Sequence, residues 1–459
     1  MKPKTHFYCR ECGYQSSSWL GRCPACGQWN TFDEEVVERT AGASAAARRA
    51  AAAKSQPRLI QEVTYSQSQR TPTGCGELDR VLGGGIVPGS LLLLGGEPGI
   101  GKSTLLLQTA LRIPGRRILY VSGEESEEQI KMRAERIAVP GARSADSDCY
   151  VVSETGMERI FEHIETVKPE LLIVDSIQTV STEAIDSGAG SISQIRECTT
   201  QFQRYAKESG VPVLLVGHIT KDGTLAGPKV MEHIVDAVLQ FEGDRNYGFR
   251  ILRTLKNRFG STSEIGIFEM RGSGLCEVAN PSELLIGHRD EDLSGAAVAA
   301  TLEGVRPMFV EVQSLVSSAV YGTPQRNANG FDTRRMNMLL AILEKRCGFK
   351  LGAKDVFLNM AGGLRISDPA LDLAVACSIL SSNVDIAIPP RYCFAAELGL
   401  SGEVRPVSRI EQRVAEADRM GFEKIFVSRY DAKNINARNY RIKVIDVSVI
   451  EEAFRNLLG

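Results

Sequence analysis

The amino-acid sequence predicts an α/β protein in which a mainly parallel β-sheet forms the largest core, behind a short N-terminal metal-binding segment. Two observations lead to this prediction. Apolar runs rich in leucine, isoleucine and valine alternate with helical patterns between residues 59 and 279, as expected for buried parallel strands joined by helices. Two Cys-x-x-Cys pairs within the first 26 residues have the spacing of a four-cysteine zinc site.

Length and composition indicate several domains and no membrane segment. A chain of 459 residues exceeds one ordinary core, and we expect segments at 1–35, 36–58, 59–279 and 280–459. The second segment is alanine-rich, has no apolar stripe and is predicted to be a tether. The sequence has neither the roughly 20-residue apolar run of a membrane span nor a signal-peptide pattern. A net charge of −2 leaves any nucleic-acid contact to local basic surfaces.

The predicted metal ligands are four cysteines in two pairs. Cys9-x-x-Cys12 and Cys23-x-x-Cys26 each form a knuckle that presents two thiolates to one ion, and ten residues between the pairs let the second knuckle return to the first. Four thiolates in tetrahedral array suit zinc. With all four ligands from protein, the predicted site is structural, and metal binding supplies the folding energy of so short a segment. An iron centre or metal-free thiols are the alternatives.

The two tryptophans of the chain, Trp19 and Trp29, flank the second knuckle. We expect both indole rings to pack over the cysteine cluster. Stacking on a nucleic-acid base is the alternative role for these rings.

A phosphate-binding loop follows the apolar run Leu91–Leu94 and precedes a leucine-rich helical pattern. It fits G-x-x-x-x-G-K-[ST], in which glycines let backbone N–H groups surround phosphate oxygens at the positive end of the next helix. Lys102 is predicted to contact the terminal phosphates, and Ser103 to ligate magnesium. The predicted nucleotide contacts are Gly96, Glu97, Pro98, Gly99, Ile100, Gly101, Lys102, Ser103 and Thr104.

Acidic residues and a histidine follow the other predicted strands. Glu124 and Glu125 come after one apolar run, Asp175 ends the next, and His218 follows a third. Because the carboxyl ends of parallel strands share one edge of the sheet, we expect these side chains near Lys102. Asp175 is predicted to hold magnesium, and one of the two glutamates to orient the attacking water, without a choice between them. Either glutamate could instead serve only the dipole of the following helix, and His218 either senses the terminal phosphate or is a satisfied core histidine.

Several of these segments together resemble the RecA-type ATPase core. They are the stretch from Thr73 to Asp79, the glycines 83–85, the phosphate loop, the paired glutamates and the run from Leu171 to Asp175. With the four cysteines and Lys256-Asn257-Arg258-Phe259-Gly260 added, the combination resembles the bacterial RadA (Sms) family of DNA repair ATPases over essentially the whole chain. The resemblance implies a RecA-like ATPase domain at 59–279 that uses ATP and Mg²⁺, and Zn²⁺ in the N-terminal finger.

The same resemblance assigns Lys256 and Arg258 a catalytic role in the active site of a neighbouring subunit. In ring-forming RecA-like ATPases such cations cross the subunit interface as equivalents of an arginine finger. ATP hydrolysis would then depend on contact between subunits. A basic surface loop that touches DNA phosphates is the alternative.

The C-terminal segment, residues 280–459, resembles the proteolytic domain of Lon protease. Lon uses a serine–lysine dyad as nucleophile and base. Aligned by Asp368-Pro369, the serine position carries Ala370; aligned by Gly402-Glu403-Val404, the lysine position carries Glu411. We therefore expect a Lon-protease-like α/β domain without peptidase activity.

Two segments supply candidate DNA contacts. A glycine-rich loop between Gly217 and Met231 contains Lys221 and Lys229, in a region where RecA-like proteins hold DNA, unless it is an ordinary solvated loop. A basic run in the C-terminal segment offers further phosphate contacts, unless it is an ordinary solvated helix face. Its members are Arg326, Arg334, Arg335, Lys345, Arg346, Lys350 and Lys354.

The resemblance implies a DNA-dependent ATPase of recombination and repair, in which ATP lies at the subunit interfaces of a homo-oligomer, a hexameric ring. Hydrolysis would move single-stranded DNA through the ring and drive branch migration of recombination intermediates alongside the RecA recombinase. A nucleotide-gated DNA-binding scaffold and an ATP-dependent protease are the alternative functions. We expect a cytoplasmic protein that binds single-stranded and branched DNA and no membrane.

Overall fold

The computed structural model describes residues 4–9, 15–25, 27–37, 59–62, 70–137, 148–218, 229–243, 249–278, 280–286, 293–319, 322–363 and 366–458. The chain divides into two compact units, 1–242 with 250–277 and 243–249 with 278–459. Cys12, Cys26, Lys221 and most of the segment 36–58 lie outside the described residues. No helix in the described part of the chain is long and apolar enough to cross a membrane.

A small antiparallel sheet forms the N-terminal part of the first unit. Its strands are β1 (Lys4–Cys9), β2 (Gln15–Ser16) and β3 (Phe32–Val37), in the order β2-β1-β3. Cys9, Cys23 and Phe32 form its buried core. So few buried apolar side chains cannot hold a segment of this length together, which is the physical reason to expect a metal here.

The main sheet of the first unit has nine strands, and most of them are buried apolar runs. They are β4 (Leu91–Gly96), β5 (Arg117–Ser122), β6 (Asp148–Ser153), β7 (Leu171–Asp175), β8 (Val213–Val216), β9 (Ala237–Glu242), β10 (Phe249–Asn257), β11 (Ile265–Arg271) and β12 (Gly274–Glu277). Their order is β12-β11-β10-β9-β4-β8-β7-β5-β6. The six strands from β9 to β6 pair in parallel, while β9 with β10 and β11 with β12 pair antiparallel.

Helices cover both faces of this sheet because its central strand is apolar on both sides. Leu92 and Leu94 of β4 pack into one hydrophobic cluster, and Leu91 and Leu93 pack into the other. This alternation follows from the two-residue period of a strand. The helices of the unit are α1 (Gly76–Leu82), α2 (Lys102–Arg112), α3 (Glu127–Ile137), α4 (Met157–Val167), α5 (Ile192–Ser209) and α6 (Lys229–Ile234).

The second unit is a separate α/β layer structure. The strands are β13 (Ala296–Glu303), β14 (Arg306–Ser318), β15 (Arg326–Asn329), β16 (Lys354–Met360), β17 (Tyr392–Ala395), β18 (Glu397–Leu398), β19 (Val404–Arg405), β20 (Lys424–Ser428) and β21 (Lys443–Val447). Seven of them form a sheet with the order β15-β16-β14-β13-β17-β20-β21, and β18 pairs with β19 in a two-stranded ribbon. The helices are α7 (Pro281–Leu285), α8 (Thr333–Cys347), α9 (Leu371–Val384), α10 (Ile410–Arg419), α11 (Arg429–Ala432) and α12 (Ile450–Leu458).

Candidate active site

The predicted site residues gather where four neighbouring strands of the nine-stranded sheet end. In the sheet order these strands are β4, β8, β7 and β5. All four are parallel, so their carboxyl ends lie along one edge. The phosphate loop, His218, Asp175 and the paired glutamates follow these ends in that order. A polar cluster therefore forms at the crevice where open α/β sheets bind their ligands.

The phosphate loop joins β4 to α2 and leaves the start of that helix open. Gly99 and Gly101 have φ angles of +78° and +118°, in the left-handed region that a side chain would strain. No side chain of the described residues caps the first turn of α2, whose N-cap position is Gly101. The open N–H groups of that turn and the positive end of the helix dipole therefore face the position of a phosphate.

Lys102 is the first residue of α2, and its side chain is buried. Its Nζ lies 2.8 Å from the carbonyl oxygen of Gly96, 3.0 Å from that of Glu97 and 3.2 Å from Nδ1 of His218. Burial lowers the pKa of Lys102 to about 8, although three nearby carboxylates oppose the shift. The ammonium group is held against neutral carbonyls of its own loop, and phosphate oxygens would be stronger partners for it.

This lowered pKa predicts proton uptake when a nucleoside triphosphate binds. Phosphate charge beside Lys102 favours the ammonium form, so binding restores its pKa toward the ordinary lysine value of about 10.4. Above pH 8 we therefore expect ATP binding to take up a proton and its affinity to fall as the pH rises. Calorimetric titration in buffers of different ionisation enthalpy measures the uptake. Lys102→Met should abolish it, and unchanged uptake in that variant would assign the proton to another group.

Asp175 ends β7 with a buried carboxylate. The hydroxyl of Tyr120 on the adjacent strand β5 donates a hydrogen bond of 2.6 Å to its Oδ2. Burial and the charge of Asp175 raise the pKa of Tyr120 well above its usual value, so the phenol stays protonated and remains a donor. This contact fixes the orientation of the aspartate. Tyr120 is not among the predicted site residues. It lies within an apolar strand, and its hydrogen-bond partner is 55 residues away in sequence, so no local pattern indicates the contact.

Glu124 lies within the cluster around Lys102. Its Oε1 accepts a hydrogen bond of 2.7 Å from the hydroxyl of Ser176 and lies 3.0 Å from Nε2 of His218. Burial raises the pKa of Glu124, but the contacts with Ser176 and His218 and the charge of Lys102 outweigh it, so the pKa lies below its usual value. Glu124 is therefore ionised at neutral pH. Ser176 was also missed by the sequence prediction, although it directly follows Asp175.

Glu125 points to a different partner. Its Oε2 lies 2.5 Å from Nη2 of Arg133, a mostly buried side chain of α3. The two adjacent glutamates therefore have different partners. Glu124 contacts His218, which in turn contacts Lys102, whereas Glu125 pairs with Arg133 of α3. The sequence left this choice open.

Lys256 and Arg258 lie at the other end of the strands from the phosphate loop. Lys256 pairs with Val238 and Asn257 with Ala237, and Ala237 pairs in turn with Leu92 near the start of β4. The phosphate loop begins after the other end of β4, so the length of that strand, about 16 Å, separates the two cations from it. The sheet register therefore keeps both cations away from the phosphate loop of the same chain.

Within the subunit both cations have partners. Lys256 Nζ donates to the carbonyl of Glu232, in α6, and at 2.8 Å to that of Val235. Burial and the neighbouring charge of Arg258 lower the pKa of Lys256. Arg258 Nη1 lies 3.3 Å from Oδ1 of the buried Asp236 and keeps about half of its side chain exposed. Arg258 is thus the more accessible of the two cations.

The N-terminal unit brings together two of the four predicted zinc ligands. Cys9 and Cys23 are buried side by side in the core of the small sheet. The carbonyl of Cys23 accepts a hydrogen bond of 2.8 Å from the N–H of Gly27, which closes the turn expected after a knuckle. Cys12 and Cys26 lie outside the described residues, so within those residues no group of three or more candidate ligands forms. Two buried thiols in a segment with almost no other core fit a zinc site.

The expectation for the tryptophans is wrong. Trp19 is 53% exposed and Trp29 is 68% exposed, whereas a ring packed over the cysteine cluster would be largely buried. Leu20 and Phe7 pack against the buried cysteines instead.

The positions of a serine–lysine dyad are occupied by groups without that chemistry. Ala370 is completely buried before α9, and Glu411 is exposed in the first turn of α10. Two residues after Glu411, the buried Arg413 lies 2.6 Å from Asp368.

In the predicted basic run, Arg335 is paired with the buried Asp372, so its charge is neutralised within the second unit.

Three parts of the chain match models of known protein families. Residues 7–34 match a family model described as "Rubredoxin metal binding domain", residues 67–224 one described as "AAA domain", and residues 312–431 one described as "Subunit ChlI of Mg-chelatase". Together with the topology above, these matches give a zinc ribbon, a RecA-like ATPase core and a ChlI- and Lon-like C-terminal domain.

Two solved structures each resemble less than half of the chain. The crystal structure of the RadB recombinase is 22% identical with a TM-score of 0.36, and it covers 45% of this chain and 99% of that one. The structure of a DnaB-like replicative helicase is 15% identical with a TM-score of 0.41, and it covers 48% of this chain and 66% of that one. These values are low, and the family assignment depends on full-length relatives instead.

Full-length relatives are far more similar. The DNA repair protein RadA of Halalkalibacterium halodurans is 48% identical over 462 residues, covering 100% of this chain and 99% of the relative. That of Bacillus subtilis is 47% identical over 467 residues with the same coverage. That of Listeria monocytogenes is 46% identical over 459 residues, again with 100% and 99% coverage. The chain therefore belongs to the family of the DNA repair protein RadA.

Proposed function

We propose that this chain is a magnesium-dependent ATPase that acts as a motor on DNA in recombination and repair. The observation that carries the proposal is the contact series Lys102–His218–Glu124–Ser176, which joins the ends of four parallel strands beside the phosphate loop. A phosphate-binding cation, a buried aspartate and an ionised glutamate at one edge are the groups that phosphoryl transfer requires. Membership of a family named for DNA repair supports DNA as the polymer on which it acts.

Each group has a distinct role in the proposed mechanism. The backbone of residues 96–104 holds the phosphates, and Lys102 neutralises charge on the terminal ones. Ser103 and Asp175 would hold Mg²⁺, which supplies charge neutralisation at the phosphate oxygens. Glu124, rather than Glu125, orients the attacking water, and His218 links that carboxylate to Lys102. Tyr120 positions Asp175 from the neighbouring strand.

The active site is proposed to be completed by a second copy of the chain. Lys256 and Arg258 lie at the edge of the sheet opposite the phosphate loop, and Arg258 is half exposed. A cation in that place is too far from the phosphate loop of its own chain, so the proposed catalytic role is exerted in the site of another subunit. We propose a hexameric ring in the cytoplasm that moves single-stranded DNA and drives branch migration alongside RecA. Zinc is proposed to be bound by Cys9, Cys12, Cys23 and Cys26. The proposed domain bounds are 1–35, 59–279 and 280–459.

The C-terminal domain is proposed to lack peptidase activity. A buried alanine and an exposed glutamate replace the nucleophile and base, and an arginine–aspartate ion pair occupies the interior beside them. A methyl group cannot attack a carbonyl, and we propose that the domain instead contributes to assembly or DNA contact.

Strand separation on a DNA fork tests the motor. We expect ATP with Mg²⁺ to support separation, a non-hydrolysable analogue to support DNA binding only, and Lys102→Ala to lose turnover and separation while keeping its circular dichroism spectrum. Equal product with the analogue would identify a nucleotide-gated scaffold. ATP-dependent release of peptides from an unfolded protein would identify a protease.

A further inference from the structure

Two indole rings on the zinc ribbon have no role in the ATP site or in the ribbon's own core. Trp19 is 53% exposed and Trp29 is 68% exposed. Large aromatic side chains left exposed on a small domain carry a free-energy cost, and such surfaces commonly mark binding sites. They are also the two tryptophans of the entire chain, so they form a surface that can be observed separately.

The backbone places the two rings next to each other. Arg22 pairs with Trp29 in an antiparallel bridge, and the N–H of Asn30 donates a hydrogen bond of 2.8 Å to the carbonyl of Gly21. A methyl group on Gly21 would lie 3.7 Å from Cζ3 of Trp19 and 3.9 Å from Cζ3 of Trp29. The two ring edges are thus at most about 8 Å apart, so both rings belong to the same small surface of the ribbon.

One cation lies beside the rings and can contact an anionic ligand. Residues 15–31 contain one charged side chain, Arg22, and no carboxylate. The guanidinium of Arg22 lies 5.7 Å from the ring centre of Trp29, and its Nε donates a hydrogen bond of 2.9 Å to the carbonyl of Gly27. The arginine is therefore held beside the exposed ring, where it can contact a phosphate next to a stacked base.

The neighbouring side chains favour a nucleic acid over a protein partner. Exposed residues next to the rings are serines 17 and 18, Gln28 and Asn30, while Leu20 packs inward. Tryptophan and arginine are also enriched at protein interfaces, so the preference for a nucleic acid comes from the hydroxyl and amide groups around the rings, which suit bases and sugars, and from the proposed action on DNA.

We propose that Trp19, Trp29 and Arg22 form a base-stacking site for single-stranded DNA on the zinc ribbon. The two indoles stack on bases, and the guanidinium contacts the adjoining phosphate. This site is additional to the proposed motor, because neither ATP hydrolysis nor ring assembly requires it. The ribbon would hold a strand independently of the nucleotide state.

Tryptophan fluorescence of the full-length, zinc-loaded protein tests the proposal directly. Titration with oligothymidylate in the absence of nucleotide should quench the emission, because stacked bases quench indoles. An oligomer of the same length made of abasic deoxyribose phosphate should quench little. Lys102→Ala should quench as the parent does, so failure of the proposed motor and failure of this site give different results.

Single substitutions separate the contributions of the two indole rings to the fluorescence quenching. Trp19→Phe and Trp29→Phe should each lose part of the quenching and keep most of the DNA affinity. Trp19→Ala and Trp29→Ala should each weaken binding to oligothymidylate about tenfold, as measured by anisotropy of labelled DNA. Tyr430→Ala is the matched control, since Tyr430 is 67% exposed and has Lys433 near its ring; it should leave affinity unchanged.

Three results would overturn the proposal. The first is unchanged emission at DNA concentrations where anisotropy shows saturated binding. The second is equal quenching by the abasic oligomer, which would mean that phosphates alone are bound. The third is quenching by RecA protein but not by DNA, which would make the surface a protein-docking site. Zinc content and circular dichroism of each variant establish that the ribbon is folded.

Discussion

Glu124→Gln is expected to lower ATP turnover by about two to four orders of magnitude and to leave ATP affinity little changed. Glutamine keeps the size of the side chain and its contacts with Ser176 and His218 but removes the negative charge. A carboxylate that orients water acts in the transition state, so its loss should appear in kcat rather than in binding. Steady-state turnover and equilibrium binding of a fluorescent ATP analogue measure the two effects separately.

Glu125→Gln is the matched control for this prediction. Its carboxylate pairs with Arg133 instead of facing Lys102, so its charge contributes to the start of α3 and not to the reacting groups. We expect turnover within a few-fold of the parent and a small loss of stability. If Glu125→Gln lost as much activity as Glu124→Gln, the assignment of the water-orienting residue would be wrong.

Arg258→Ala is expected to lower turnover by about three orders of magnitude, and mixing with Lys102→Ala is expected to restore part of it. Each variant alone lacks one half of every site. In a mixed assembly, an intact phosphate loop from one copy meets an intact Arg258 from a Lys102→Ala copy. The reason is the sheet register, which separates Arg258 from the phosphate loop of its own subunit by the length of β4. Turnover of the two variants, alone and mixed in several ratios, measures the restoration.

Lys207→Ala distinguishes a role in catalysis from a role in folding. Lys207 and Arg258 both contact the buried carboxylate of Asp236, and both keep about half of their side chains exposed. If Arg258 only satisfied Asp236, the two substitutions should have similar effects, and mixing should restore nothing. A finger role predicts that Lys207→Ala keeps most of its turnover.

Local sequence patterns were sufficient for the phosphate loop and for the fold class. Gly96–Ser103 connects β4 to α2 as expected, because its glycines and its flanking apolar runs are a pattern formed by a few neighbouring residues. The parallel arrangement of β4, β8, β7 and β5 follows from strands that alternate with helices. The convergence of Lys102, Asp175 and Glu124 then follows from the geometry of parallel strands.

Long-range contacts could not be predicted in this way. Tyr120 and Ser176 each donate to a carboxylate more than 50 residues away in sequence, and neither contact leaves a local pattern. The exposure of Trp19 and Trp29 was also mispredicted, because spacing around cysteines does not show which side of a short segment faces the core.

By itself, the sequence determined the fold class and the presence of an N-terminal zinc ribbon, and it predicted the phosphate loop, the strand-end acids and the four cysteine ligands, since each is a pattern of residues close together along the chain. Only the tertiary structure showed that Glu124 contacts His218 whereas Glu125 pairs with Arg133, because adjacent side chains on a turn point in different directions. It also decided that Arg258 lies at the far edge of the sheet from Lys102, because the antiparallel pairing of β10 with β9 sets that distance.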